Sequence, residues 1–179
     1  MVDWKDDELG ELARELRQGA GAELRAEAEV LETETQQGRL RNRDLAGVAQ
    51  EVARRGDTVS ALMAGLTVRG EVAHVGSDYI SIDTPTEHHD IRLSACALLV
   101  ERSTQGGFTP RGGSVTIRAR LAEFEQTGEV VEIRAPSLGV TVRGRILVAA
   151  ADHVCLANLD GVEMVIPNAA IDAVVRERR

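Results

Sequence analysis

Aromatic side chains are nearly missing from this chain. Of 179 residues, only Trp4, Tyr79, Phe108 and Phe124 are Trp, Tyr or Phe, so the core has to be built from Val, Leu, Ile and Ala. Cysteine is equally sparse. Cys96 and Cys155 have no CxxC partner and fall at positions that read as core, which points to reduced thiols and away from a disulfide framework. Lys5 is the sole lysine, the other basic residues being Arg, a bias that reads as genome composition rather than function. No run of 18 apolar residues is present, and the N-terminus is acidic where a secretory signal would be basic and then apolar. A cytoplasmic location without membrane contact is the expectation. P-loop, GxGxxG, GxSxG and HExxH motifs are all lacking, and His74, His88, His89 and His153 have no sequence-local partner typical of a triad. The chain is therefore expected not to be an enzyme: no catalytic residue, no cofactor and no small-molecule substrate is assigned.

What the chain does have is a phrase that occurs twice, Thr67-Val68-Arg69-Gly70 and Thr141-Val142-Arg143-Gly144. After each glycine come an apolar alternation, an Asp (Asp78 or Asp152), then Tyr79 or His153, and a second alternation, Ile80-Ser81-Ile82 or Val154-Cys155-Leu156. Two strands joined by a tight turn fit both copies. Each copy then closes on a strand, a single helical turn and a last strand. Matching Ile91-Arg92-Leu93-Ser94 to Met164-Val165-Ile166-Pro167 makes the repeat offset 73 in this closing segment, against 74 at the phrase. Upstream, Leu45, Ala49 and Val52 precede Ile117, Leu121 and Phe124 by 72, and Gly56 and Gly128 end both helices. The implied unit is a short helix followed by about five strands, duplicated in tandem.

In chain order, residues 1–41 read as an acidic helical arm. Leu9, Leu12, Leu16, Ala20, Leu24, Ala28 and Leu31 lay one apolar stripe along it. Its charge, eleven acids against five bases over residues 1–40, accounts for most of the net −8 of the whole chain. Asn42 offers an N-cap for the first short helix. The first β unit, 42–103, is acidic. Its Glu87-His88-His89-Asp90 run invites a metal reading, but adjacent strand residues point to opposite faces, and no metal ligands are assigned. Residues 104–115 read as a Gly/Pro linker. Counted with its linker, over 104–179, the second unit (116–179) is charge-balanced at nine bases against nine acids, with Arg143 and Arg145 on one strand face and Arg176, Arg178 and Arg179 at the end of the chain.

A short helix, strands with x-Val-x-Gly-x-Ile/Val and a closing x-Ile-Pro-x-x-Ala-Ile resemble the Sm-like fold, a small bent barrel related to SH3-type barrels, over residues 42–102 and 116–176. From Trp4 onward the chain also resembles an actinobacterial family often labelled Fis-type transcriptional regulators. No basic recognition helix follows a tight turn to support that label. The resemblance implies an α+β fold: an N-terminal helical arm followed by two tandem Sm-like barrels, each preceded by a short helix. Sm and Hfq-type proteins bind uridine-rich RNA through an Asp in the turn and a nearby Asn, where this chain has Gly76 and Ala150, then Ile80 and Val154. Where Hfq-like proteins place Lys-His, this chain has Ala95-Cys96 and Asn168-Ala169. The frame is kept and the RNA pocket is lost.

Two functional expectations follow. The leading one is a non-enzymatic, oligomeric protein-interaction or adaptor module that associates with itself or a protein partner through outer strands. The other is an RNA- or DNA-associated regulator contacting phosphate through Arg143, Arg145, Arg176, Arg178 and Arg179. Gly70 and Gly144 are expected at equivalent strand positions where the sheet bends sharply and a side chain would collide with the facing layer, while Ser77 and Asn158 read as exposed and tolerant.

Overall fold

The computed structural model describes residues 43–101 and 112–178. The arm read at 1–41 therefore lies outside the described residues. The described residues from Asp44 on form one compact unit.

Helix α1 (Leu45–Arg55) starts where the Asp44 carboxylate accepts a hydrogen bond from the Gly47 amide at 2.8 Å, and it stops at Gly56, whose φ of 69° is left-handed. The cap is thus Asp44 rather than Asn42. Its buried face is also shifted from the Leu45, Ala49 and Val52 spacing: Ala46, Ala49, Val52 and Ala53 are covered, whereas Leu45 and Val48 are exposed. Alanines let the helix lie close on the sheet. Helix α2 (Ile117–Thr127) repeats the device with Thr116 as cap and Gly128 as stop, and buries Ile117, Leu121 and Phe124.

Each helix is followed by five strands. β1 (Thr58–Met63), β2 (Leu66–Val75), β3 (Tyr79–Asp83), β4 (Glu87–Arg92) and β5 (Ala97–Glu101) come from the first half. β6 (Val130–Ala135), β7 (Val140–Ala149), β8 (His153–Asn158), β9 (Glu163–Pro167) and β10 (Ala173–Glu177) come from the second. All ten join one antiparallel sheet in the order β5-β1-β2-β3-β4-β10-β6-β7-β8-β9.

This overturns the expected fold class of a helical arm with two tandem barrels. The described chain is mostly β, one open sheet of ten strands carrying two eleven-residue helices. The physical reason lies at the seam. A free strand edge leaves a row of amides and carbonyls unpaired, and β4 satisfies its outer edge on β10 with Ile91 opposite Ala173 and His88 opposite Arg176. Within each half the last strand returns to the first, β5 on β1 and β10 on β6. The halves also exchange core residues. Ala173 packs in the cluster of the first half, and Tyr79 in that of the second.

The strand registers correct the closing alignment. Ile80 faces Ile91, and the equivalent Val154 faces Ile166, so the offset there rises to 75 instead of falling to 73. The short helical turns agree, Leu93–Ala95 against Asn168–Ala170. One residue is gained in the β8–β9 turn, where the Asn158 side chain accepts from the amides of Asp160 and Val162. That turn is tied by the side chain that read as a tolerant loop position.

Among the described residues no helix is long and apolar enough to cross a membrane.

Candidate functional site

The repeated glycines pack tightly. Gly70 lies opposite Val59 and Gly144 opposite Val131, equivalent places in β2 and β7. A Cβ at Gly70 would sit 2.1 Å from the carbonyl oxygen of Asp83, and one at Gly144 would sit 2.0 Å from that of Ala157. The obstacle is the backbone of the next strand rather than a facing layer. Two residues beyond each glycine the register shifts, between Val72 and His74 and between Ile146 and Val148, so both long strands carry a bulge that bends them.

On the first half this bend brings His74 and Tyr79 under the returning chain at Gly112–Val115. The Tyr79 hydroxyl donates to the Ser114 carbonyl at 3.0 Å, His74 Nε2 lies 2.8 Å from the same oxygen, and the Ser77 amide donates to Val115 at 2.7 Å. Burial, with the Asp90 carboxylate next in weight, pushes the Tyr79 hydroxyl pKa well up, so it remains a donor. Gly113 packs so closely on the His74 ring that a Cβ would lie 2.9 Å from it. The end of the 104–115 segment is thus docked, and Ser77 is one of its anchors.

Beneath it lies a polar network that spacing in the sequence did not reveal. Asp90, fully buried in β4, accepts from the Ser81 hydroxyl and, at 2.9 Å, from Arg120 Nε of α2. Arg120 Nη1 also donates to Glu123 at 2.6 Å, and Glu123 accepts from the Ser114 hydroxyl. Burial raises the Asp90 pKa, but the His88 hydrogen bond and the Arg120 charge outweigh it, and the carboxyl is held below its ordinary value. A carboxylate so engaged is a poor base, and the network's evident work is to hold α2 of one half on β4 of the other. His88 faces Asp83 through Nδ1 and lies 3.3 Å from Asp90 through Nε2, whereas His89 Nε2 meets Glu87 at 3.1 Å. The two histidines therefore have separate partners. Among the described residues no group of three or more His, Cys, Asp or Glu is arranged to hold a metal ion. Both cysteines are half-buried and free, and burial lifts the Cys96 thiol pKa to about 11.

The arginines singled out in the sequence converge. Arg143, Arg145, Arg176 and Arg178 line a single open cleft of about 750 Å³, together with Arg120, Asp83, Glu129 and Glu177. Arg143 donates to Glu177 at 2.5 Å, Arg176 reaches Glu129 at 3.5 Å and Arg178 reaches Asp83 at 3.8 Å. Arg145 is exposed with no acid in ion-pair range among the described residues. Arg179 lies outside the described residues. Arg120 is the member that the sequence reading missed, because it sits in the middle of a helix among other charges.

No protein-family model matches the chain, and no curated protein matches it.

Proposed function

We propose that the chain is a non-enzymatic interaction module that assembles with copies of itself, head to tail, through β9 of one copy and β5 of the next. One observation carries this reading: the β4–β10 seam already performs the same pairing inside the chain. By repeat position β9 is the counterpart of β4, and β5 is the counterpart of β10. Each of these two strands has a neighbour on one side only among the described residues. Carrying the internal register over sets Ile166 opposite Ala97, Val165 opposite Leu98, and Met164 opposite Leu99.

The side chains suit it. Val165 is 62% exposed and Leu99 57%, and Val162 next to β9 is 60% exposed, so each edge presents apolar side chains between its ends, which carry Glu163 and Pro167 in β9 and Glu101 in β5. The two edges differ, so the contact is heterologous and generates a ring or an open row of chains rather than a two-fold pair. The Ser81 hydroxyl and the Arg120 guanidinium both donate to the Asp90 carboxylate, which favours a structural role over a catalytic one.

Light scattering on the purified chain at tens of micromolar tests the proposal. A mass at least twice the 19.3 kDa of one chain is expected, falling to a single chain in Val165→Asp. A strictly monomeric wild type overturns it.

A further inference from the structure

We propose that the arginine cleft binds a small polyphosphate anion, two or more linked phosphoryl groups, free or carried on a nucleotide. The site is independent of self-assembly, because its walls come from both halves of one chain and neither β5 nor β9 lines it.

Charge is the first argument. Arg120 apart, the cleft collects four guanidinium groups against three carboxylates, on a chain whose net charge is −8. A positive concavity on an acidic protein concentrates anions locally while the surrounding surface repels extended ones. Arg120 is already neutralised by Asp90 and Glu123, so a ligand meets Arg143, Arg145, Arg176 and Arg178.

Satisfaction is the second argument. The contacts three of these make are weak: Arg176 and Arg178 stand 3.5 and 3.8 Å from their acids, Arg178 also donates to the Thr84 carbonyl at 3.2 Å on the surface, and the Arg143–Glu177 pair is exposed on both sides. Such pairs add little net attraction and yield to a doubly charged oxyanion. Arg145 has no acid to surrender among the described residues. The Nε of Arg176 is buried with no hydrogen-bond partner among the described residues, so its guanidinium gains an acceptor by turning toward a bound phosphate.

Size and shape are the third. A volume of about 750 Å³ falls in the range of small-molecule sites. Gly112 and Gly113 form part of the wall and put bare backbone there.

The test is calorimetric titration of the full chain with pyrophosphate and with ATP, without divalent metal, at low and moderate salt. Saturable binding of both is expected, and Arg145→Ala and Arg143→Ala should each weaken it about tenfold or more. Both residues are exposed, so neither change threatens the fold, and Val165→Asp should leave binding unchanged. No saturable heat up to about 10 mM ligand overturns the proposal. Equal affinity in the two arginine variants also overturns it, because any anion then binds elsewhere. A single-stranded oligonucleotide binding more tightly than ATP, with a salt dependence of several phosphates, overturns it in favour of a nucleic-acid track.

Discussion

At the scale of single residues, two glycines and one histidine make sharp predictions. Gly70→Val and Gly144→Val place a branched side chain against a neighbouring carbonyl that a strand cannot move cheaply, and each should cost about 2 kcal/mol or more in a urea melt. Ser77 and Asn158 are unsuitable controls, since the one anchors the 112–115 segment and the other ties the β8–β9 turn. Thr67→Val, exposed on the same strand as Gly70, should stay within about 0.5 kcal/mol. His89 predicts a pH dependence. Burial above all holds its pKa below the ordinary value, against the raising effect of Glu87, with Arg134 and His88 adding to the depression. The folded state therefore refuses a proton that the unfolded chain accepts near pH 6.5, so stability falls as pH drops through that value. Asp90 continues the trend at lower pH, because a carboxyl depressed in the fold contributes stability that is lost as it protonates. Urea midpoints of wild type and His89→Gln, measured between about pH 7 and 5, should diverge, with the slope nearly abolished in the variant. An unchanged slope would place the acid sensitivity elsewhere.

At the scale of elements, much of each half was legible in the sequence. Both helix ends at Gly56 and Gly128, the paired strands around Asp78 and Asp152 and the single helical turns can be read there, because they depend on local spacing and turn chemistry. The rest was not legible, for identifiable reasons. The closing strands slip by two positions, since the Ala and Ile residues on which they were matched recur every few positions and the Asn158 turn hides an added residue. The Asp90–Arg120 pair joins residues 30 apart through tertiary packing alone, and sequence spacing carries no trace of it. The convergence of Arg143 and Arg145 with Arg176 and Arg178 comes from β10 returning to β6 beside β7, a long-range pairing, so four arginines could be named but not brought to one place. That seam has a clasp at Arg92. Its Nε donates to the Ile171 carbonyl at 3.0 Å and its Nη2 to that of Asn168 at 2.8 Å, across 79 and 76 residues. Arg92→Ala should lose about 2–3 kcal/mol by thermal melt, and Arg92→Lys should recover only part, since one ammonium cannot reach both carbonyls in the same fork.

At the scale of the whole molecule, the two ends of the sheet are different strands, which makes the mode of assembly testable. An isologous pair would join β9 to β9 or β5 to β5, and blocking the other edge would leave it intact. Head-to-tail pairing needs one edge of each kind. Leu99→Asp places an unpaired charge on β5, and Val165→Asp does the same on β9, each at a position exposed enough to spare the fold. Each variant alone should be a single chain, because every copy retains only one competent edge and that edge finds no complement. Mixing the two should restore a partnership: the intact β9 of Leu99→Asp meets the intact β5 of Val165→Asp, and the blocked edges cap the product. Native mass spectrometry of the mixture should then show a one-to-one dimer and nothing larger, while the wild type forms rings or rows. A variant that still pairs with itself, or a mixture that stays monomeric beside an assembled wild type, would mean that the internal seam is not repeated between chains.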